Sequence, residues 1–232
     1  MGKAAPLRWL ENRYFRQRCR GRGIEIGALW RRFPVHPKAQ VWYVDRLPLN
    51  ELKKQFADVK EQIFLPDLVA EGMELPVAEG SLDFLIASHV LEHLPFPLLA
   101  LRAWYQALAP GGVLLLKVPD KRYTFDVRRP RTPMARLVAE HERPESFDWR
   151  AHYADWVENV DRRKPTETEL SHAVEGLKSG RLNIHYQVWI DEDLSEIVEF
   201  TRREWRFDWE ARVFLKAHFY RKETAILLAR TG

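Results

Sequence analysis

A chain of 232 residues, 46% of them hydrophobic and 30% charged, suits one α/β domain with an elaboration, and no stretch approaches the ~18 apolar residues of a membrane span. The single cysteine, Cys19, excludes an internal disulfide and a cysteine-rich metal centre; with no apolar leader visible at the N-terminus, the expected setting is reducing and cytoplasmic. A net charge of +4 and a pI near 9.2 permit an anionic substrate or nucleic acid but require neither.

The first predicted element is a helix from Pro6 to about Cys19. Pro6 suits a first helical turn, and Leu7, Leu10 and Tyr14 keep helical spacing. Arg8, Arg13, Arg16, Arg18 and Arg20 fill the other faces, as a solvated surface or as a contact for an anionic partner. Gly21 and Gly23 break the helix. Gly23-Ile24-Glu25-Ile26-Gly27 then reads as a short buried strand ending in a glycine turn, followed by Ala28, Leu29 and Trp30. Pro34 and Pro37 interrupt the next loop, and Val41 to Asp45 form a second strand with a carboxylate at its tip. A glycine turn after one strand and an acid ending the next make a nucleoside-binding layout: the glycine lets backbone approach the ligand, and the acid accepts hydrogen bonds from ribose hydroxyls.

A short helix is expected over Leu49 to Phe56 and a short third strand over Asp67 to Gly72. Leu82 to Ala87 is nearly all apolar, the pattern of a strand covered on both faces. Pro95 and Pro97 start a helix whose buried stripe is Leu98, Leu101, Tyr105 and Leu108. Pro110-Gly111-Gly112 ends it, and Val113 to Val118 is a fifth strand. Strands alternating with helices predict a doubly wound parallel sheet, which gathers Gly27, Asp45, Glu71, Ser88 and Pro119 at one carboxyl edge, where ligands bind.

Prolines and dense charge mark residues 126–183 as a mostly helical insertion over that edge, within a single domain spanning 1–232. Helices are expected at Met134 to His141 and Glu167 to Leu177. Ile184 to Ile190 resumes an apolar pattern, and Asp191 is placed to cap a helix running to about Phe200. Trp205, Phe207, Trp209, Ala211 and Val213 alternate as in a half-buried strand, and Thr224 to Ala229 is the last strand.

In this order Glu25-x-Gly27, Asp45, Glu71-Gly72, Leu75-Pro76, Gly80-Ser81-Leu82-Asp83-Phe84, Val90-Leu91-Glu92-His93-Leu94 and Leu108-Ala109-Pro110-Gly111-Gly112 resemble the class I S-adenosylmethionine-dependent methyltransferases, of the type 11-like kind, over about residues 22 to 120. The stretch Val118 to Asp126 is similar to a bacterial subgroup associated with surface polysaccharide. The resemblance implies a Rossmann-like, doubly wound seven-stranded sheet with a final antiparallel strand and a helical insertion between strands 5 and 6. It implies S-adenosyl-L-methionine as cofactor. Glu25, Gly27 and Ala28 would border its methionine part, and Asp45, with Arg46 beside it, would hold the ribose hydroxyls. Glu71 with the Gly72 and Met73 backbone would meet the adenine, and Ser88 and His89 would close the methionine side. The family usually carries further glycines where this chain has Ala28, Leu29 and Trp30, and side chains of that bulk would tighten the pocket or block it.

Methyl transfer from a sulfonium is an in-line displacement, so the protein mainly aligns the nucleophile and excludes water. A hydroxyl acceptor also needs a base; the candidates are His93, Asp120, Tyr123, His152 and His185. No histidines or carboxylates fall at a compact ligand spacing, and no metal is expected. The cluster Arg128, Arg129 and Arg131 suggests an anionic acceptor, phosphate or acidic sugar. The function expected is methyl transfer to a small molecule or glycan, at oxygen. The alternatives are an RNA methyltransferase, although no RNA-binding module is recognisable, and a non-catalytic methyltransferase-like partner protein. Oligomeric state and acceptor are not legible.

Overall fold

The computed structural model describes residues 4–232, with side chains from Glu11 onward. Helix α1 spans Ala4–Arg18; the side chains of Leu7, Arg8 and Leu10, named above, lie outside the described residues. Strands β1 (Arg22–Ile26), β2 (Gln40–Asp45) and β3 (Leu68–Val69) follow, with α2 (Leu49–Gln55) between the last two. Next come β4 (Leu82–Ser88), α3 (Pro97–Ala107) and β5 (Leu108–Pro119). Three helices then intervene: α4 (Met134–Glu142), α5 (Trp149–Trp156) and α6 (Glu167–Lys178). Helix α7 (Asp191–Glu204), β6 (Trp209–Leu215) and β7 (Glu223–Arg230) close the chain.

One seven-stranded sheet has the order β3-β2-β1-β4-β5-β7-β6. The first five strands pair in parallel, and β7 runs antiparallel to both β5 and β6. This is the doubly wound sheet with an antiparallel last strand that the sequence implies, with the helical insertion between the fifth and sixth strands. β4 shows why its run is continuously apolar: Leu85 and Ala87 enter a core with α3, α4 and α7, while Phe84 and Ile86 enter the opposite one with Phe15 and Cys19 of the α1 segment. Gly23 lets β1 sit against this strand, because a Cβ there would meet the Phe84 ring at 2.4 Å.

Several boundaries differ from expectation. β3 has two residues, and the rest of 67–72 turns. Leu108 leaves the helix and opens β5; the buried stripe of α3 is Leu98, Leu101 and Trp104, whose Nε1 donates to the Gly72 carbonyl at 2.7 Å. Pro110-Gly111-Gly112 is an irregularity inside β5, where pairing jumps from Leu82–Leu108 to Phe84–Val113. Asp191 is the first residue of α7, and the cap comes from Asp193, whose carboxylate accepts from the Ile190 amide at 2.9 Å. Trp205 ends α7 rather than opening β6. The segment 184–190 is extended and buried but bonds to the sheet only through a bridge between Trp189 and Asp120.

Helices α4 and α6 form where expected, and Thr166 with Glu169 makes a capping box for α6. Phe147, Leu177, Ile184 and Tyr186 gather a small core of their own with Trp149, Tyr153 and Trp156 of α5. That core carries residues 181–185 to the carboxyl edge of the sheet. No described helix is long and apolar enough to cross a membrane.

Candidate active site

A cavity of about 740 Å³ opens at the carboxyl edge, between the strand tips and the segment after α6. Its size is that of a pocket for a drug-sized ligand. Glu25, Gly27, Ala28, Asp45, Arg46, Glu71, Gly72, Ser88 and His89 all line it. Met73 does not; it packs against the core beneath.

Each wall has a local cause. Gly27 follows β1 at φ +65°, and a Cβ there would lie 3.0 Å from Val90. The Glu25 side chain, 2% exposed, accepts the Phe33 amide on both carboxylate oxygens at 2.9 Å. It thereby holds the loop of Ala28 to Arg32 over the cavity. Burial pushes the Glu25 carboxyl up to about 7, against the Phe33 amide and Arg32, which pull it down. Leu29 sits at φ +47°, left-handed backbone that a side chain makes costly. This is where the expected glycine is missing. Trp30 does not fill the hollow: it lies in the wall, its ring 6.1 Å from that of Phe56.

Asp45 ends β2 with its carboxyl pushed up to about 6, by burial first and by Glu71 as well, against the amides of Arg46 and Leu47 and the Arg46 charge. Asp45 and Glu71 therefore converge on one side. Arg46 donates to Gln55 Oε1 at 3.1 Å, and Gln55 Nε2 donates to the carbonyls of Gly180 and Arg181, both at 3.1 Å. This chain of bonds ties β2 and α2 to the insertion. His89, at φ +56°, places Nε2 2.6 Å from Glu223 Oε2. Burial alone would lower its imidazole, but Glu223 and Glu92 outweigh that and push it up to about 9.

His93 and His185 also line the cavity, with rings at 77° and centroids 4.6 Å apart. His93 Nδ1 lies 2.9 Å from the Ile184 carbonyl, an acceptor only, so that nitrogen carries the proton. His185 Nδ1 donates to Asp126 Oδ2 at 2.6 Å. In the neutral tautomer that donates from Nδ1, each ring presents Nε2 as an acceptor. Burial, with His185 nearby, depresses the His93 imidazole to about 4, even though Glu92 and the Ile184 carbonyl favour its charged form. His185 is 8% exposed, because the main chain of 186–187 donates to the Glu92 carbonyl and pins this segment beside the β4 tip.

The other three base candidates stand elsewhere. Asp120 is 1% exposed and does not line the cavity; its carboxylate caps the turn at 121–123 and pairs with the Arg122 guanidinium at 2.6–3.2 Å. Tyr123 lies in that turn, beside Arg122. His152 is buried in the insertion, stacked 4.4 Å from Phe147 and bonded near Glu140 and the Tyr186 carbonyl. The arginine cluster is also structural in large part. Arg129, 2% exposed, donates to Asp126, Asp155 and the His185 carbonyl at 2.7–2.9 Å, and Arg131 pairs with Asp193. The guanidiniums that do line the cavity are Arg31, Arg46 and Arg181; of these the sequence singles out only Arg46, through its place beside Asp45.

The residues fit an adenosyl sulfonium ligand. A turn that demands glycine, a carboxylate at the β2 tip and the accessible Gly72 backbone share one cavity with an apolar lining from Ile26, Leu52, Phe56 and Leu94. The comparisons with known proteins agree. Residues 9–174 match the family described as methyltransferase domain. Among curated proteins no sequence matches. Of the solved structures, the CurJ carbon methyltransferase superposes with a TM-score of 0.50 at 19% identity, covering 92% of this chain; the chain spans half the length of that protein. An S-adenosylmethionine-dependent methyltransferase from Aquifex aeolicus gives 0.50 at 11% identity, covering 97% of this chain and 89% of its own. A protein from Rhodobacter sphaeroides named for Zn-dependent alcohol dehydrogenases gives 0.58 at 16%, covering 96% and 90%. At these identities the likeness is one of fold. The family match over most of the chain, together with the glycine turn, Asp45 and the cavity they share, places this chain in the methyltransferase-domain family as an enzyme that takes its methyl group from S-adenosylmethionine.

Proposed function

We propose that the chain methylates a hydroxyl of an anionic small molecule or glycan. S-adenosylmethionine supplies a methyl group on a sulfonium, with a neutral thioether as leaving group. Asp45 would hold the ribose hydroxyls, Glu71 and the Gly72 backbone the base, and the Glu25-anchored loop the methionine part. The single observation that supports oxygen as acceptor is the pair of imidazoles in the cavity wall, each with Nδ1–H engaged and Nε2 free to accept. As the acceptor oxygen forms its bond to carbon and the carbon–sulfur bond breaks, the hydroxyl proton passes to His185 Nε2, since the His93 imidazole is held too low to take it. Arg31 and Arg181, both exposed at the cavity, supply the charge for an acidic acceptor. The test is isotope-labelled S-adenosylmethionine offered with uronic acid and sugar-phosphate glycosides, their neutral counterparts and RNA. Base-stable label in the acidic sugars is the expected result. Label only on amines, on carbon or on RNA overturns the reading.

A further inference from the structure

Among the described residues, one group of histidines and carboxylates has metal-ligand geometry: Glu92, His93 and His185 each offer a donor atom within 4.8 Å of the other two. Two of the three line the active cavity. We infer that Glu92, His93 and His185 form a binding site for a divalent transition-metal ion in the cavity wall.

Three observations carry this. The Glu92 side chain is 1% exposed, yet neither carboxylate oxygen has a hydrogen-bond partner. The His89 ring is nearest, with Nδ1 3.4 Å from Oε1. His89, pushed up to about 9, supplies a counter-charge on the Oε1 side, but neither oxygen gains a hydrogen bond from it and Oε2 has no partner. A buried acceptor left so is costly unless a further donor or cation completes it. Second, the imidazoles are held as ligands are held. His93 Nδ1–H bonds a backbone carbonyl and His185 Nδ1–H bonds the Asp126 carboxylate, the outer-shell pattern that fixes ring orientation and presents Nε2 to a metal. Asp126 is itself fixed by Arg129 at 2.9 Å. Third, the backbone clamps the set together, since the Tyr186 and Gln187 amides donate to the Glu92 carbonyl at 2.8 and 3.2 Å. Small side-chain rotations bring three donors now within 4.8 Å to an ion at about 2.1 Å.

Two imidazoles and one carboxylate suit Zn2+, Fe2+, Co2+ or Mn2+ better than calcium. Three protein ligands leave coordination positions open, as catalytic metal sites do. The ion's role rests on the hydroxyl reading above: it would bind the acceptor oxygen and lower its pKa, replacing the imidazole as the means of ionising it. Its existence does not rest on that reading.

The purified full chain, stripped with chelator, is titrated with Co2+ and followed by visible absorption, and separately with S-adenosylmethionine by calorimetry. One equivalent of Co2+ is expected to bind. Glu92→Gln and His185→Gln should each weaken it at least 100-fold, and Asp126→Asn about 10–100-fold, as outer-shell losses do. His152→Gln, an equally buried histidine outside the trio, should change nothing. Circular dichroism reports whether each variant folds. For the unmutated chain, pulsed electron resonance with Mn2+ counts the bound imidazoles, and two are expected. No Co2+ binding, binding indifferent to Glu92 and His185, or fewer than two imidazoles overturns the site. Co2+ bound at the trio with no hydroxyl methylated leaves the site standing and removes the hydroxyl reading; methylation of hydroxyls by a chain that binds no Co2+ does the reverse.

Discussion

The indole of Trp30 packs on the ring of Phe56, with centroids 6.1 Å apart and planes at 59°, so the bulk that follows Gly27 builds a wall of the cavity. The loop of Trp30 is held by Glu25 and the helix of Phe56 leads on from β2, so this contact joins the first two strand tips. Trp30→Ala removes an aromatic pair worth about 0.5–1.5 kcal/mol beyond its buried area and opens the wall. Affinity for S-adenosylmethionine should fall about tenfold with little change in melting temperature. Calorimetry checks it, and tighter binding by the alanine variant would mean that Trp30 obstructs the pocket.

Asp45 should set the pH dependence of cofactor affinity. Its carboxyl is pushed up to about 6, and in the proposed cofactor pose only the ionised form would accept from both ribose hydroxyls. Protonation competes with binding, so affinity is full well above pH 6 and falls about tenfold per unit below it. Asp45→Ala should weaken binding about 10–100-fold at pH 8, the value of a charge-assisted hydrogen bond, and flatten the profile. A profile with the same midpoint in the variant would assign the titration to another group.

Much of this site was legible in the sequence. The glycine after β1, the acids ending β2 and following β3, and the apolar run of β4 are local patterns, and a parallel sheet sends all their ends to one edge. What was not legible depends on chain crossing. Glu92 and His93 are adjacent in sequence, but the third member of their group, His185, comes from beyond three helices, placed by backbone bonds to Glu92 that no spacing rule contains. The arginine cluster misled for a related reason: Arg128 is exposed, while its neighbour Arg129 is buried against aspartates 3 and 26 residues away. Composition assigns both to the same surface. Leu108 was misplaced because an apolar residue buried at the end of α3 and one buried at the start of β5 give the same sequence pattern.

Arg129 and Arg128 should therefore behave oppositely. Arg129→Met leaves Asp126 and the His185 carbonyl without their buried donor, and breaking a buried pair on one side costs about 3–5 kcal/mol. Arg128→Ala should stay within about 0.5 kcal/mol of the parent. Urea unfolding of both separates the cases. Equal, small losses would mean that water reaches the Arg129 site.

Gly23→Ala tests the packing of β1 on β4. The new methyl would meet the Phe84 ring at 2.4 Å, and that ring is fully buried. Overpacking of this kind costs about 1–3 kcal/mol. The loss should appear in urea unfolding, and pairing Gly23→Ala with Phe84→Leu should recover part of it. Additive losses in the double variant would show that the clash is not with Phe84.

Glu25 links stability to pH in the direction opposite to a salt-bridged acid. Its carboxyl is pushed from 4.5 to about 7 by burial, so between those values the folded chain holds a proton that the unfolded chain has released. Stability contributed by this group is greatest below pH 4.5, falls as pH rises to about 7, and is level above that. The fall is about 3 kcal/mol for a shift of this size, at 1.36 kcal/mol per unit. Glu25→Gln cannot ionise and keeps one carbonyl oxygen for the Phe33 amide. Unfolding free energies of the two proteins, measured from pH 5 to 8, should therefore converge or cross: the parent is the more stable at pH 5 and loses its advantage by pH 8. Parallel curves across that range would show that the carboxylate is ionised throughout, and that the loop over the cavity is held by charge rather than by a shared proton.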